Sequence, residues 1–392
     1  MRERLYFIDW VRVLAFFLLI FFHCAMPFTV FGWEIKDTDQ SVGLSRLIWW
    51  LHQWRLPLLF FAAGVGTHFS LRKRSIGSFA GERTTRLLIP VIFAMLFTIP
   101  FQVYFEWRQE GKISGSYTAF YPRVWQFVPY PDGALTWSHL WFVVYLYVYS
   151  MLLLPIFGLF KIRGLQFLKS RFVEWLGRPF VVVWLALPLI GYYFSLFIRY
   201  PEQLNLVDDW FVFVFSLTLF VYGYLLGGSE RFWAGCERYR YYWLGGAVVC
   251  IALLYYGYWW NLAAPGKRHP AGYRGYGVLN AVHVWLWILA AFGFARKHLN
   301  KDSRFLRFMN TAVYPFYILH QTVIVAAGYY IVQWRVGWGV KFLLLAAITF
   351  AAIYSVYRWL IRPFMLPRLL FGVKLRETHK KTHLSEPLVA KK

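Results

Sequence analysis

Apolar runs of about 18–24 residues recur along this chain, the length an α-helix needs to cross the hydrocarbon core of a bilayer, and charged residues collect in the stretches between them. Backbone groups in lipid must be satisfied within their own segment, so runs of this length are expected to be helices. Ten are expected, near residues 5–28, 44–69, 87–106, 139–160, 179–198, 210–228, 241–262, 276–294, 311–333 and 338–360. Pro57, Pro100, Pro155, Pro188 and Pro315 fall inside them and mark kinks or ends. The fold class that follows is an all-α, polytopic integral membrane protein. Composition agrees: 59% of the 392 residues are hydrophobic and only 15% charged, against about a quarter charged in soluble domains.

The net charge of +24 raises nucleic acid as a partner. Its distribution argues against that, because the cations do not form one stripe but recur in every second connector. Arg72, Lys73, Arg74, Arg83 and Arg86 lie between spans two and three. Lys161, Arg163, Lys169, Arg171 and Arg178 follow span four, and Arg231, Arg238 and Arg240 follow span six. Arg296, Lys297, Lys301, Arg304 and Arg307 follow span eight. The intervening connectors are mixed or acidic, with Glu34, Lys36, Asp37 and Asp39 in one and Arg199, Glu202, Asp208 and Asp209 in another. This alternation predicts both termini in the cytoplasm. Residues 1–373 are expected to form one membrane-embedded unit, with 374–392 a basic cytoplasmic tail resting on anionic lipid. The longest outer connector, 107–138, has no strong periodic pattern and is expected to fold over the outer mouth.

Arg2 and Arg4 before an apolar run imitate a signal peptide, but Asp9 and Arg12 interrupt the run and no small-x-small cleavage site follows. Cys24, Cys236 and Cys250 have neither metal spacing nor a secreted-disulfide pattern. No metal and no permanently bound cofactor is expected, nor an appended soluble domain, and the sequence shows no Gly-rich phosphate loop or internal repeat.

Ionisable groups inside spans cost several kcal/mol and mark candidate sites. Asp9, Arg12 and His23 share the first span. Arg12 and His23 are eleven residues apart, about 16 Å along nearly the same face, and Asp9 is one turn from Arg12 and able to pair with it. Structural readings stand beside the functional ones: an interfacial Asp9–Arg12 pair, and His23 capping a polar core. Cys24 points away from His23 and reads as packing. His52 and Arg55, one turn apart in span two, are expected at a depth close to that of His23, where Arg55 needs an anion or an aqueous cavity unless the pair snorkels outward. Arg83 and Arg86 at the opening of span three can clamp a phosphate as a fork or serve only as topology signals. Ser138 is placed to cap the fourth helix beside His139 and Trp141. Asn280 with His283, and Tyr317 with His320, face the bundle interior, where interhelical hydrogen bonds are the plainer account.

Together these residues resemble the acyltransferase-three family of membrane acyltransferases. The Arg-x10-His spacing of Arg12 and His23 matches its opening, and Arg83-x-x-Arg86 its paired-arginine motif. The stretches Leu56-Pro57-Leu58-Leu59-Phe60-Phe61-Ala62-Ala63-Gly64, Ser138-His139-Leu140-Trp141-Phe142 and Tyr314-Pro315-Phe316-Tyr317-Ile318-Leu319-His320 are similar to its other motifs. Ala63-Gly64 departs from the usual Ser-Gly. His52-x-x-Arg55 and the compact length are similar to the branch containing glucans biosynthesis protein C, associated with succinyl transfer to periplasmic glucans. The resemblance implies ten core helices in a bacterial inner membrane and acyl-CoA as cytoplasmic co-substrate. It also implies transfer of an acetyl or succinyl group to a hydroxyl of an extracytoplasmic glycan or glycolipid, with a histidine essential. His23 is then the expected catalytic base with Arg12 and Asp9 below it. Arg83 and Arg86 hold the donor's phosphates, and His52, Arg55, His139 and His320 bind substrate. Membrane lipid is a further partner, and a homo-oligomer stays open. A transporter or flippase for a lipid-linked saccharide suits the same architecture, as does a non-catalytic partner in glycan assembly.

Overall fold

A computed structural model describes residues 4–262 and 270–374. The expected basic tail lies, from residue 375 on, outside the described residues. Among the described residues the chain is all helical, with no strand and one isolated bridge between Pro129 and Leu135. In chain order we label α1 (Tyr6–Ala25), α2 (Val42–Lys73), α3 (Ile76–Gln109), α4 (Ser138–Leu152) and α5 (Arg163–Leu176). Then come α6 (Pro179–Ser195), α7 (Trp210–Leu226), α8 (Glu230–Arg238) and α9 (Arg240–Gly257). The last four are α10 (Pro270–Leu299), α11 (Arg304–Ile331), α12 (Trp338–Ile361) and α13 (Met365–Leu370).

Four of these segments are long and apolar enough to cross a membrane: Tyr6–Phe28, Ile76–Gln109, Gly272–Leu299 and Trp338–Ile361. The number rises to six if α5 with α6, bent by 85°, and α7 with α8, bent by 108°, each count as one span. This is a helical membrane protein. α2 and α11 have ample length, 32 and 28 residues, but their apolar stretches are broken by His52, Gln53 and Arg55 and by Asn310, His320 and Gln321. The helices that look least like lipid-embedded segments therefore carry the polar interior. The expected span 179–198 is also broken, into helices Pro179–Val183 and Ala186–Ser195.

α1 is the hub, packed against α2, α10, α11 and α12. The most extensive helix pair is α2 with α7, and glycine makes it possible. A Cβ on Gly64 would lie 2.0 Å from the Phe220 carbonyl oxygen, and one on Gly223 would lie 2.0 Å from that of Phe61. Small residues let helix backbones approach in this way, which accounts for the glycine that closes the Leu56–Gly64 stretch.

The connector 107–138 has more structure than its sequence suggests. Helical turns at Tyr117–Phe120 and Tyr121–Gln126 fold back on the end of α3, burying Val103, Tyr104, Trp107, Phe120, Val124 and Ala134 in a small core of their own. Tyr104 donates to the Gly115 carbonyl at 2.8 Å, and Tyr130 to Glu106 at 2.9 Å. The alternating aromatics form a cluster rather than a periodic face, so pattern reading misses it.

Candidate active site

The polar residues sort to the two ends of α1. At one end Asp9 pairs with Arg12 at 3.2 Å and with Arg4 at 2.8 Å, as one-turn spacing requires. Arg12 also donates to Asn310 Oδ1 of α11 at 2.5 Å. These residues line a cavity of about 490 Å³ together with Arg83, Arg86 and Glu82. The two arginines do not form a parallel fork. Arg83 turns to α2, donating to Thr67 Oγ1 at 2.9 Å and lying over the Phe79 ring. Arg86 bonds Glu82 at 3.3 Å and the Gly372 carbonyl at 3.3 Å. A π-helical turn at Thr84–Leu88 separates their directions; such turns frequently occur at functional sites.

At the other end of α1, three histidines from three helices meet. His23 Nδ1 lies 2.8 Å from His320 Nε2, and the rings stack with centroids 5.0 Å apart. His320 Nδ1 lies 2.6 Å from the Tyr317 carbonyl oxygen, and His139 Nε2 lies 3.1 Å from the same oxygen. Tyr317 in turn donates its hydroxyl to the His139 carbonyl. A carbonyl only accepts, so His320 carries its proton on Nδ1 and leaves Nε2 bare. His23 must then donate from Nδ1, and its Nε2 keeps a free lone pair. The chain carbonyl–imidazole–imidazole thus holds His23 in the tautomer of a base. Among the described residues no group of three or more His, Cys, Asp or Glu side chains could hold a metal ion.

Around the pair, Trp33 stacks on His23 at 6.3 Å, and His52 lies against Phe22 at 6.3 Å, close to the depth of His23 as expected. His52 is committed to Glu202 at 3.2 Å, and Arg55 is not paired with it. Arg55 is 1% exposed, with its guanidinium 3.8 Å from the Phe22 ring centroid. Its Nε and Nη1 have no hydrogen-bond partner among the described residues. Ser138 does not cap α4. Its backbone is left-handed at φ +42, and its hydroxyl instead donates to Gln102 Oε1 at 2.9 Å. Gln102 donates on to Thr322 at 2.7 Å, and Gln321 donates to Ser138 and to Glu34. Glu34, in the connector after α1, keeps its second oxygen buried and unpartnered, and burial pushes its carboxyl up to about 7. Trp33, Glu34, Gln102 and Gln321 are the site residues that sequence reasoning missed. Only Gln321, next to His320, carried a positional hint.

Aromatic side chains of the described residues lie between the two ends. The cavity stops at Phe16, Phe142 and Val313. Tyr317 packs edge-on against Phe16 at 5.4 Å and against Phe142 at 6.4 Å. A separate void of about 10 Å³ between α1 and α11, the size of one water, shares Phe16 and Val313 with that cavity. One aromatic layer separates the arginine-lined cavity from the histidines.

The family model described as an acyltransferase domain, of the acyltransferase-three type, matches residues 5–358. The chain belongs to the acyltransferase-three family. As a member it is an acyltransferase, and all three histidines lie inside the matched region. Among its relatives, glucans biosynthesis protein C of Shigella dysenteriae serotype 1 is 25% identical over 343 residues, covering 84% of each chain. The protein of that name from Escherichia coli K12 is 24% identical over 343 residues with the same coverage. That of Salmonella paratyphi B is 24% identical over 353 residues, again 84% of each chain. No solved structure gives a significant match.

Proposed function

We propose that the protein transfers an acyl group, acetyl or succinyl, from cytoplasmic acyl-CoA to a hydroxyl of an extracytoplasmic glycan or glycolipid, as a ten-span protein of a bacterial inner membrane with both termini inside. The observation that carries this reading is the His23–His320–Tyr317 carbonyl chain at one end of α1, with an arginine-lined cavity at the other. His23 Nε2 takes the proton of the acceptor hydroxyl, and the oxygen attacks the thioester carbonyl. The tetrahedral oxyanion collapses, the C–S bond breaks, and the departing thiolate recovers the proton from His23. His320 touches no reacting atom; it positions His23 and shares the charge that His23 gains. Arg12, Arg83 and Arg86 attract the donor's phosphates, with Asp9 holding Arg12 in place. Names of relatives support a glucan-like acceptor, and Trp33, His52 and Glu202 offer the aromatic face and polar groups to receive a sugar.

Purified His23→Ala and His320→Ala variants test the reading. Both should insert and keep stabilisation by CoA while transfer falls by about 10²–10⁴. His320→Gln should recover part of it, because an amide oxygen can still accept from His23 Nδ1. Normal transfer by His23→Ala would reject the assignment.

A further inference from the structure

Buried hydrogen-bonding atoms without a partner are rare in folded proteins, and each calls for a ligand, a water or a reason. Next to the histidine pair, two side chains bonded to each other both carry one: Glu34 at Oε2 and Gln321 at Oε1. The surroundings fix which way the Gln321 amide points, because the network behind it can donate in one direction only. The Thr98 carbonyl accepts from the Thr322 hydroxyl at 3.1 Å, which engages the single proton that hydroxyl has. Thr322 must therefore accept from Gln102 Nε2 at 2.7 Å, and Gln102 turns Oε1 to Ser138. Ser138 donates its own proton there at 2.9 Å, so it accepts from Gln321 Nε2 at 3.3 Å. The other proton of that nitrogen goes to Glu34 Oε1. With both amide protons engaged, Gln321 offers Oε1 as a pure acceptor, and ionised Glu34 offers Oε2.

A network with a purely structural role would end on matched groups. This one ends on two acceptors, on a Gln321 that is 3% exposed, and acceptors left dry are costly until a donor reaches them. Two oxygens are too few for a hard cation, which takes about six or more. Hydroxyl groups supply donors without charge. The place is the reacting end of the protein: Gln321 follows His320, and Glu34 follows Trp33, whose ring stacks on His23. His23, Trp33 and Glu34 are each partly exposed, and the terminal torsion of a glutamate is soft, so a small turn carries Oε2 to an entering group. Donation to Oε2 favours the ionised carboxylate, against the burial that raises its pKa. We propose that Glu34 Oε2 and Gln321 Oε1 form a hydroxyl-reading subsite, accepting two protons from the sugar unit whose third hydroxyl His23 deprotonates. The inference rests on the glycan-acceptor reading given above and narrows it. The acceptor unit must carry two free hydroxyls besides the one acylated, and a unit already substituted at either is refused.

The test measures transfer from acetyl-CoA and succinyl-CoA to methyl glucoside and to its monodeoxy and deoxyfluoro analogues at each position. Fluorine does not donate. At the two recognised positions the deoxyfluoro analogue should therefore be as poor as the deoxy one, each about tenfold or more below the parent in kcat/KM. Glu34→Gln keeps the shape, but its amide must keep the oxygen toward Gln321 Nε2 and so turns an N–H to the site. It should erase the parent's advantage at one recognised position, and Gln321→Met at the other, while both variants keep stabilisation by CoA. A pattern that neither variant changes, or deoxy analogues transferred as well as the parent, would overturn the subsite and leave water on these oxygens. Wild type that is stabilised by CoA yet acylates no member of the series would overturn the glycan-acceptor reading, and the subsite with it.

Discussion

Two side chains near the histidine pair hold unbalanced polar groups, and each makes a prediction. The Arg55 guanidinium is buried beside Phe22 with two nitrogens unpartnered, and a charge so placed is costly unless an anion joins it. The terminal carboxylate of a succinyl group would supply one. Arg55→Met should therefore lower succinyl transfer relative to acetyl transfer by at least about tenfold, read as the ratio of kcat/KM for the two donors. Glu34 provides the second. Its carboxyl titrates near 4.5 ordinarily and near 7 in the folded protein, chiefly because burial disfavours the charge. The proton is thus bound more tightly in the folded state, and the stability this gives is complete below about pH 4.5 and lost as pH rises through 7. Melting temperature should fall between pH 5 and pH 8, and Glu34→Gln should flatten that slope. The sequence announced Arg55, since an arginine within an apolar run stands out. Glu34 looked like any connector acid, because only the fold brings Gln321 and Ser138 against it.

Helix α2 shows how an element can serve packing and chemistry on different faces. One turn presents His52 and Arg55 to the site, and about two and a half turns after Arg55 Gly64 lets α7 approach to backbone contact. Gly64→Leu would place side-chain atoms inside the space of the Phe220 carbonyl. The expected outcome is a loss of about 1–3 kcal/mol or more, measured by thermal or denaturant unfolding in detergent, with His23 chemistry untouched in the protein that survives. The connector between α1 and α2 is held in a comparable way. Asp37 and Lys341 form a buried pair at 2.7 Å, Asp39 accepts from the Trp338 N–H at 2.8 Å, and Lys36 exchanges two hydrogen bonds with Gln109. Trp33 is thereby fixed over His23, and Glu34 against Gln321. Helix existence, the Asp9–Arg12 pair and the shared depth of His23 and His52 were legible, because helical spacing is local. The His23–His320 contact joins residues 297 positions apart, and the break in α6 and the compact 107–138 segment also depend on tertiary packing. No local periodicity encodes them.

For the whole molecule, charge alternation and the two-ended site make one geometric claim. On the proposed topology the Asp9, Arg83 and Arg304 end faces the cytoplasm, and the Glu34, Asp132 and Asp208 end faces out. Single cysteines at Ser78 and at Asp132 in an otherwise cysteine-free variant should react oppositely with an impermeant maleimide, Asp132→Cys in intact spheroplasts and Ser78→Cys only after lysis. Equal labelling of both from one side would refute the ten-span arrangement. The Phe16–Phe142–Tyr317 layer gives that arrangement a bioenergetic meaning. An enzyme that hands a group through an energised membrane builds a conduit between two salt solutions, and a continuous file of water past three imidazoles would conduct protons and drain the proton-motive force. On the proposed acyl-CoA reading the shut ring layer makes the protein an airlock, in which an inserted thioester arm would part the rings and itself plug the opening.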